Sequence, residues 1–266
     1  MKHILSLGAG VQSSAMALMA KHGEITPMPV AAIFSDVGAE PKSVYDYLDW
    51  LEGELPFPVY RVMEKEGLLV DINKGISGGR CSNPPFYTKS PEGKKGILMR
   101  TCTADFKIRP INRKTKEIAG WKGRKPKEPI ITTWIGISKD EIQRMKESRE
   151  SWIQHRFPLV DMDMRRDQCL KWIKDKGYPL PPRSACWFCP YHSNKEWRRL
   201  RDEEPEEFAK AIELDKQIRD GVYKVENQLF LHPKRVPLDE VDLRSAEEKG
   251  QTSFDFLSEC DGMCGV

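Results

Sequence analysis

Residues 2–19 read Lys-His-Ile-Leu-Ser-Leu-Gly-Ala-Gly-Val-Gln-Ser-Ser-Ala-Met-Ala-Leu-Met. A short apolar run breaks into a Gly/Ser loop and then continues as a second apolar run. A strand that ends in glycines and leads into a helix leaves unpaired backbone N–H groups at the positive end of the helix dipole. Such a turn suits a phosphate group. The stretch therefore predicts a strand, a phosphate-binding loop and a helix, in that order.

This loop departs from two familiar phosphate-loop patterns. Gly8-x-Gly10-x-x-Ser13 nearly fits the dinucleotide fingerprint, but a serine stands where the third glycine lets helix and strand pack closely. No Gly-Lys-Ser/Thr follows, which excludes a P-loop with its phosphate-binding lysine. What remains is a Ser/Gly loop ending in two hydroxyls, or a tight turn capped by Ser13 or Ser14 that holds no ligand.

Length and composition indicate a globular protein with one main domain. The chain has 266 residues, of which 39% are hydrophobic and 31% charged, and its net charge is +3. Polar residues interrupt the first apolar run, which argues against a signal peptide, and no other run approaches the length of a membrane span. We expect a cytoplasmic protein without a membrane partner. In that reducing compartment, the seven cysteines are metal ligands or reactive thiols rather than disulfides.

Apolar runs bounded by turn residues predict a mostly parallel sheet. Residues 3–7, a helix over about 13–22 and the run 29–35 make one βαβ unit. The long polar stretch 75–127 is predicted as a functional or disordered loop. Further strands are predicted at 58–62 and 129–137, and further helices at 44–55, 140–150, 166–176 and 196–220.

Basic residues are concentrated in the second half of that polar stretch. They are Lys107, Arg109, Arg113, Lys114, Lys116, Lys122, Arg124, Lys125 and Lys127. Such a cluster can hold a polyanion, either a nucleotide or a nucleic-acid backbone. For the outer residues 114–127, a solvated lysine-rich face is an equally good interpretation.

Two cysteines lie on a predicted turn. Cys186-Trp187-Phe188-Cys189 follows a Pro-Pro pair, and a Cys-x-x-Cys turn lets two thiolates meet at one metal or form a redox couple. Cys102 is the best candidate for a third ligand, and Cys260 or Cys264 for a fourth. Four thiolates suit an iron–sulfur cluster or Zn²⁺. Two free thiols packed in the turn are the alternative.

The remaining cysteines and a histidine lead to other interpretations. His192, three residues after Cys189, keeps a Cys/His zinc site open. Cys169 lies at helical spacing from Trp172 and Ile173, so we predict a buried core residue. Cys81 stays open between a metal ligand and a loop thiol.

Taken together, these segments resemble the phosphoadenosine-phosphosulfate (PAPS) reductase-like branch of the PP-loop ATP pyrophosphatases, also called adenine-nucleotide α-hydrolases. Residues 6–14 resemble the PP-loop, usually Ser-Gly-Gly-x-Asp-Ser, with Gln12 at the aspartate position. Five further segments resemble elements of the family. Residues 36–40 resemble the nucleoside-pocket segment, 102–110 the Cys-x-x-x-x-Lys-x-x-Pro stretch and 136–144 the phosphate-reaching segment. Residues 157–159 resemble the Pro-Leu element, and 184–192 the cysteine motif.

The resemblance implies an α/β fold. Its core is a doubly wound, mostly parallel five-stranded sheet with helices on both faces and the nucleotide at the carboxyl edge, followed by a helical C-terminal extension. We divide the chain into a PP-loop nucleotide-binding domain, 1–195, which includes the cysteine motif, and a helical segment with a cysteine-containing tail, 196–266.

The resemblance also implies a site that binds ATP, or PAPS, with Mg²⁺ on Asp36 or Asp140. Lys107 and Arg109, together with Cys260 and Cys264 of the tail, are the catalytic candidates. Cys102, Cys186, Cys189 and Cys264 are the ligands of an iron–sulfur cluster, or of Zn²⁺. The nucleotide-binding candidates are Ser6, Gly8, Gly10, Gln12, Ser13, Ser14, Asp36, Gly38, Glu40, Gly136, Asp140 and Arg144.

Three functions follow from these residues. The first is cleavage of ATP at the α-phosphate to adenylate a substrate for sulfur transfer, with tRNA or DNA as acceptor. For this function we expect a homo-oligomer whose partner is a sulfur donor protein or thioredoxin. The second is a PAPS reductase, whose C-terminal thiolate attacks the sulfonate. The third is a non-catalytic nucleotide-binding module with structural zinc.

Overall fold

A computed structural model of the chain describes residues 1–244 and 247–249. Its centre is a sheet of five parallel strands, which confirms the predicted α/β fold class. The strands are β1 (Lys2–Leu7), β2 (Ala31–Asp36), β3 (Val59–Met63), β6 (Ile131–Trp134) and β7 (Ile153–Arg156), and they lie in the order β3-β2-β1-β6-β7.

Helices cover both faces of this sheet and also build part of a second layer at its edge. They are α1 (Val11–Lys21), α2 (Lys42–Glu54), α3 (Leu68–Ile76), α4 (Arg109–Ala119), α5 (Pro158–Asp161), α6 (Arg166–Asp175), α7 (Asn194–Glu203) and α8 (Pro205–Gln217), with a π-helical turn at Ala104–Ile108 and 3-10 turns at Lys139–Arg144, Leu238–Glu240 and Glu247–Lys249. None of the helices in these ranges is long and apolar enough to cross a bilayer.

The central strands are apolar on both sides because each face of the sheet is covered. Leu5 and Phe34 pack with α1, α2 and α6 in one core cluster. Ile4 and Ile33, on the opposite face, pack with Ile111 of α4 and its neighbours in another. Parallel strands buried in this way read as continuous hydrophobic runs, which is why β1 and β2 are recognisable in the sequence.

A second layer adjoins the carboxyl edge of the main sheet. Strand β4 (Tyr87–Lys89) pairs antiparallel with both β5 (Lys95–Ile97) and β8 (Gln228–Phe230). Its core joins Phe106 and Phe188 to Trp197 of α7 and Leu214 of α8. The predicted helical C-terminal region is present. Its helices share this core with Phe106 and Phe188, which precede the predicted domain boundary at residue 195.

Two predicted helices are wrong. The helix expected over 140–150 is a 3-10 turn that ends at Arg144, because Glu141 has non-helical angles (φ −115°, ψ 19°) and Met145 is extended. The helix expected over 196–220 is two helices, α7 and α8. Pro205 starts the second of these, and a proline inside a helix removes a backbone hydrogen bond. The predicted loop 75–127 also contains α4 and a hairpin.

Candidate functional site

The strand order reverses at β1, which lies between β2 and β6. The loops that follow β1 and β6 diverge there, and open α/β sheets bind ligands in the resulting crevice. The structure has a cleft with about 770 Å³ of empty space at this place, its open mouth included. The cleft is lined by Ser6, Leu7, Gly8, Gly10, Gln12, Ser13, Phe34, Ser35, Lys107, Ile111, Ile135, Gly136, Glu141, Arg144 and Ser184.

The first turn of α1 opens on this cleft. Gly10 is the N-cap residue, and no described side chain caps the helix. Ser13 therefore does not act as the cap that the ligand-free alternative requires. Its hydroxyl donates to the Gly10 carbonyl (3.2 Å) and accepts from the Gly8 N–H (3.1 Å), so that it fixes the shape of the loop. The first N–H groups of the helix lack intrahelical acceptors and remain suited to an anion.

The loop is held in an unusual backbone conformation. Ala9, fully buried between the two glycines, has a φ of 54°. This left-handed conformation is unfavourable for a residue with a Cβ, and such residues concentrate at ligand-binding turns.

Gly136, in the loop after β6, approaches the start of α1 closely. A Cβ at this position would lie 3.1 Å from the Ser13 nitrogen and 3.3 Å from the Ser13 Cα. The lack of a side chain at this residue lets the two loops that border the cleft approach this closely.

We expect Gly136→Ala to destabilise the protein, because its methyl group would push the backbone of the β1–α1 loop away. The expected loss is about 1–3 kcal/mol of unfolding free energy, the usual range for overpacking. Urea unfolding measures it. Gly8→Ala is the matched control, since a Cβ there meets its nearest neighbour, Ser13 Oγ, at an ordinary 3.7 Å. Equal losses in the two variants would contradict the close-approach argument.

Gln12 belongs to a polar network at the back of the cleft. Its Nε2 donates to Glu141 Oε2 (3.1 Å), and its Oε1 accepts from Arg166 Nη1 (2.9 Å). Arg144 Nη1 donates to the other oxygen of Glu141 (2.7 Å). Burial raises the pKa of Glu141, although Arg144 opposes this shift. The network therefore presents a carboxylate and an arginine to the cleft from the same 3-10 turn.

Lys107 reaches the cleft from the π-helical turn. Ser35 at the end of β2 donates to the Phe106 carbonyl (2.7 Å), which docks this turn against the main sheet. Lys107 Nζ lies 3.6 Å from Oε1 of the buried Glu40. Ser184 Oγ donates to the other Glu40 oxygen (3.2 Å), so that this carboxylate connects the lysine to the segment before the cysteine turn.

Several predicted site residues lie away from the cleft lining. Asp36 accepts hydrogen bonds from the Gly38 N–H and the Tyr45 hydroxyl, both at 2.7 Å. Asp140 accepts from the Arg166 N–H (3.0 Å) at the start of α6. Ser14 is buried within α1.

Arg109 lines a different, polar cleft. There its guanidinium pairs with Asp105 at 2.7 Å. The structure therefore separates two basic residues that the sequence places together, since Lys107 lines the first cleft and Arg109 the second. Ser35, Glu141 and Ser184 are the polar lining residues that the sequence did not single out. Their signals were the end of the predicted strand 29–35 for Ser35, the phosphate-reaching segment for Glu141 and the cysteine motif for Ser184.

The cysteine turn lies beside the cleft. Cys186 and Cys189 are each 8% exposed, and the Trp187 N–H donates to the Ala39 carbonyl (2.9 Å), which joins the turn to the loop after β2. Cys102 packs against the same core. Burial lowers the pKa of His192 to about 3, and its Nε2 is 2.9 Å from the Cys186 carbonyl.

The cluster ligands remain a prediction. Cys260 and Cys264 lie outside the described residues. Within 1–244 and 247–249, no three or more Cys, His, Asp or Glu side chains form a group that could hold a metal ion. The described residues alone do not fit an iron–sulfur or zinc centre, so we derive no chemistry from one. Cys169 is buried in the core as predicted, and burial raises the pKa of its thiol to about 12.

Comparisons with known proteins find similarity at the level of solved structures. No protein-family model and no curated protein matches the chain. Among solved structures, it is similar to the phosphoadenylyl-sulfate (PAPS) reductase from Candida auris, in a phosphate complex. The match has a TM-score of 0.43 and 14% identity, and covers 68% of this chain and 75% of the other.

Proposed function

We propose that the chain binds ATP in the cleft between β1 and β6 and cleaves it at the α-phosphate, so that a substrate is adenylated for sulfur transfer. One observation carries the proposal. The uncapped first turn of α1 lies at the strand-order reversal beside two cationic side chains, Lys107 and Arg144, that line the same cleft. Three sources of positive potential suit a triphosphate.

The proposed reaction has two displacements. A substrate oxygen attacks the α-phosphorus, and the bond to the β-phosphate oxygen breaks, so that pyrophosphate leaves with the electron pair. Lys107, Arg144 and the N–H groups of α1 stabilise the charge that develops on the leaving phosphates. A sulfur nucleophile then displaces AMP from the adenylated substrate. The Cys186–Cys189 turn, which begins two residues after Ser184 of the cleft lining, supports sulfur chemistry beside this site.

Magnesium would bind at Glu141, the carboxylate among the described lining residues. Mg²⁺ commonly takes one or two carboxylates together with phosphate oxygens and water, so this donor set fits. The ion would neutralise charge on the phosphates when bound. Asp36 and Asp140, which the sequence suggested for this role, are not among the residues that line the cleft.

A nucleotide panel tests the proposal. Calorimetry with ATP, AMP and PAPS on anaerobically purified protein should show ATP binding. The ATP-bound protein should also release pyrophosphate when a competent acceptor is added. Sulfite release from PAPS without pyrophosphate release from ATP would replace our reaction with a sulfonucleotide reduction. Binding of ATP without either product would support the non-catalytic alternative.

A further inference from the structure

The segment 107–127 contains nine basic residues and a single acidic one, Glu117. Its net charge is +8 in a chain whose net charge is only +3, so the remaining residues carry a net −5. The excess positive charge of this protein is therefore concentrated in residues 107–127. The proposed ATP cleft uses only Lys107 of this segment, and the other basic residues lack an assigned role.

Helix α4 arranges these residues on one side. Ile111 and Ile118 face the main sheet and pack against its core. Arg109, Arg113 and Lys116, at spacing i, i+4 and i+7, lie on the opposite, exposed face. We call these three, together with the exposed Lys122 and Arg124 that follow the helix, the basic ridge.

The spacing of the ridge residues along α4 suits the phosphates of a nucleic-acid strand. With a rise of about 1.5 Å per residue, Arg109 and Lys116 are about 10 Å apart along the helix axis. A strand of B-DNA advances about 3.4 Å per phosphate, so this distance spans about three nucleotides.

The three cations in the C-terminal half of the ridge differ from the first two in their ion pairs. Asp105 pairs with Arg109, and Glu64 pairs with Arg113. In the described part of the chain, no carboxylate forms an ion pair with Lys116, Lys122 or Arg124. Instead, Lys116 lies 4.4 Å above the ring of Trp121, whose Nε1 donates to the Arg124 carbonyl (2.8 Å).

Aromatic rings lie among these cations. Besides Trp121, the 36% exposed Tyr60 lies on the neighbouring strand β3, with Lys114 Nζ 4.1 Å above its ring. Basic side chains that track a backbone, next to aromatic rings on which bases can stack, are the usual elements of a single-strand binding surface.

We infer that the basic ridge binds the phosphodiester backbone of a nucleic acid, and that this nucleic acid is the acceptor in the proposed reaction. The second claim, that this nucleic acid is the acceptor, rests on the proposed function. Lys107, two residues before the start of the ridge, lines the ATP cleft, so a strand bound along the ridge would reach the nucleotide at that end. Arg109 also lines the second cleft, which has about 950 Å³ of empty space with its open mouth included. Lys74 and Arg80 line it as well, together with the carboxylates of Glu64, Asp71 and Asp105.

Fluorescence anisotropy of the full chain with a labelled single strand tests this inference. DNA and RNA strands of the same sequence, and the DNA duplex, are the separate arms, each titrated between about 50 and 200 mM salt. The triple variant Lys116→Gln, Lys122→Gln, Arg124→Gln should bind about tenfold or more weakly, and its salt slope should fall by about 2, since each phosphate contact contributes about 0.7 for single strands. The arm with the tightest wild-type binding identifies the nucleic acid.

The control is a second triple variant, Lys171→Gln, Lys174→Gln, Lys210→Gln, which removes three exposed lysines from α6 and α8. It should bind as tightly as the wild type. An equal loss in both variants, or wild-type binding to phosphatidylserine vesicles but to none of the nucleic acids, would overturn the inference. A wild-type protein that binds ATP but no nucleic acid would overturn the inference and leave the proposed function standing. Nucleic-acid binding without ATP binding would contradict the proposed function instead.

Discussion

Replacement of Gly10 by aspartate is expected to abolish ATP binding without destabilising the fold. Gly10 is the N-cap of α1 and has ordinary extended angles (φ −96°, ψ 179°). A Cβ there meets only the Ser184 Cβ, at 4.0 Å. The backbone therefore accepts a side chain, and aspartate is a favourable N-cap residue. Its carboxylate would accept the free N–H groups of the first turn and repel phosphate. Placing like charges together costs several kcal/mol, which corresponds to at least about 100-fold in affinity.

Two further substitutions separate charge from geometry. Gly10→Asn places a neutral cap of the same size on the same N–H groups, and we expect a smaller loss of affinity. Gly10→Ala leaves the N–H groups free and should bind ATP almost as the wild type does. Calorimetry with ATP gives the order, and thermal unfolding should show all three variants folded. Unchanged affinity in the aspartate variant would remove the β1–α1 loop from the site.

The central strands could be predicted because they are buried on both faces, but the edge strand β7 could not. Ile153 is buried in β7, whereas the next three residues are Gln, His and Arg, exposed or half-buried. Without a continuous apolar run, the sequence gives no strand signal at this position. The fifth strand was therefore expected only from the family resemblance.

The cleft itself could be predicted better than the side chains that line it. The Gly/Ser loop after β1 is local in sequence, and its place at the carboxyl edge follows from the topology. Which side chains point into the cleft depends on long-range contacts. Gln12 contacts Glu141 and Arg166, which are 129 and 154 residues away. Similarly, the partners of the two predicted metal ligands depend on the fold: Asp36 accepts from the Tyr45 hydroxyl, and Asp140 accepts from the Arg166 N–H.

The largest catalytic effect is expected at Lys107. Its ammonium group enters the cleft beside the loop that would hold the phosphates. Loss of one preoriented donor to developing charge commonly lowers kcat about 10²- to 10³-fold. We expect Lys107→Gln to lower the rate of pyrophosphate release by this factor, and to weaken ATP binding as well. Lys171→Gln is the matched control. It removes an exposed lysine from α6 that is not among the residues lining the cleft, so it should leave the rate nearly unchanged.

The ion pair between Lys107 and Glu40 calls for a second control, which separates the effect on stability from the effect on activity. Glu40 is only 4% exposed, so loss of the lysine leaves a carboxylate buried beside the cleft, and removing one partner of a buried pair destabilises strongly. The double variant Lys107→Gln, Glu40→Gln removes both charges and should recover most of the lost stability in a urea titration. It should not recover activity, because the phosphates still lack the ammonium group. If activity returned together with stability, Lys107 would act on the fold and not on the nucleotide.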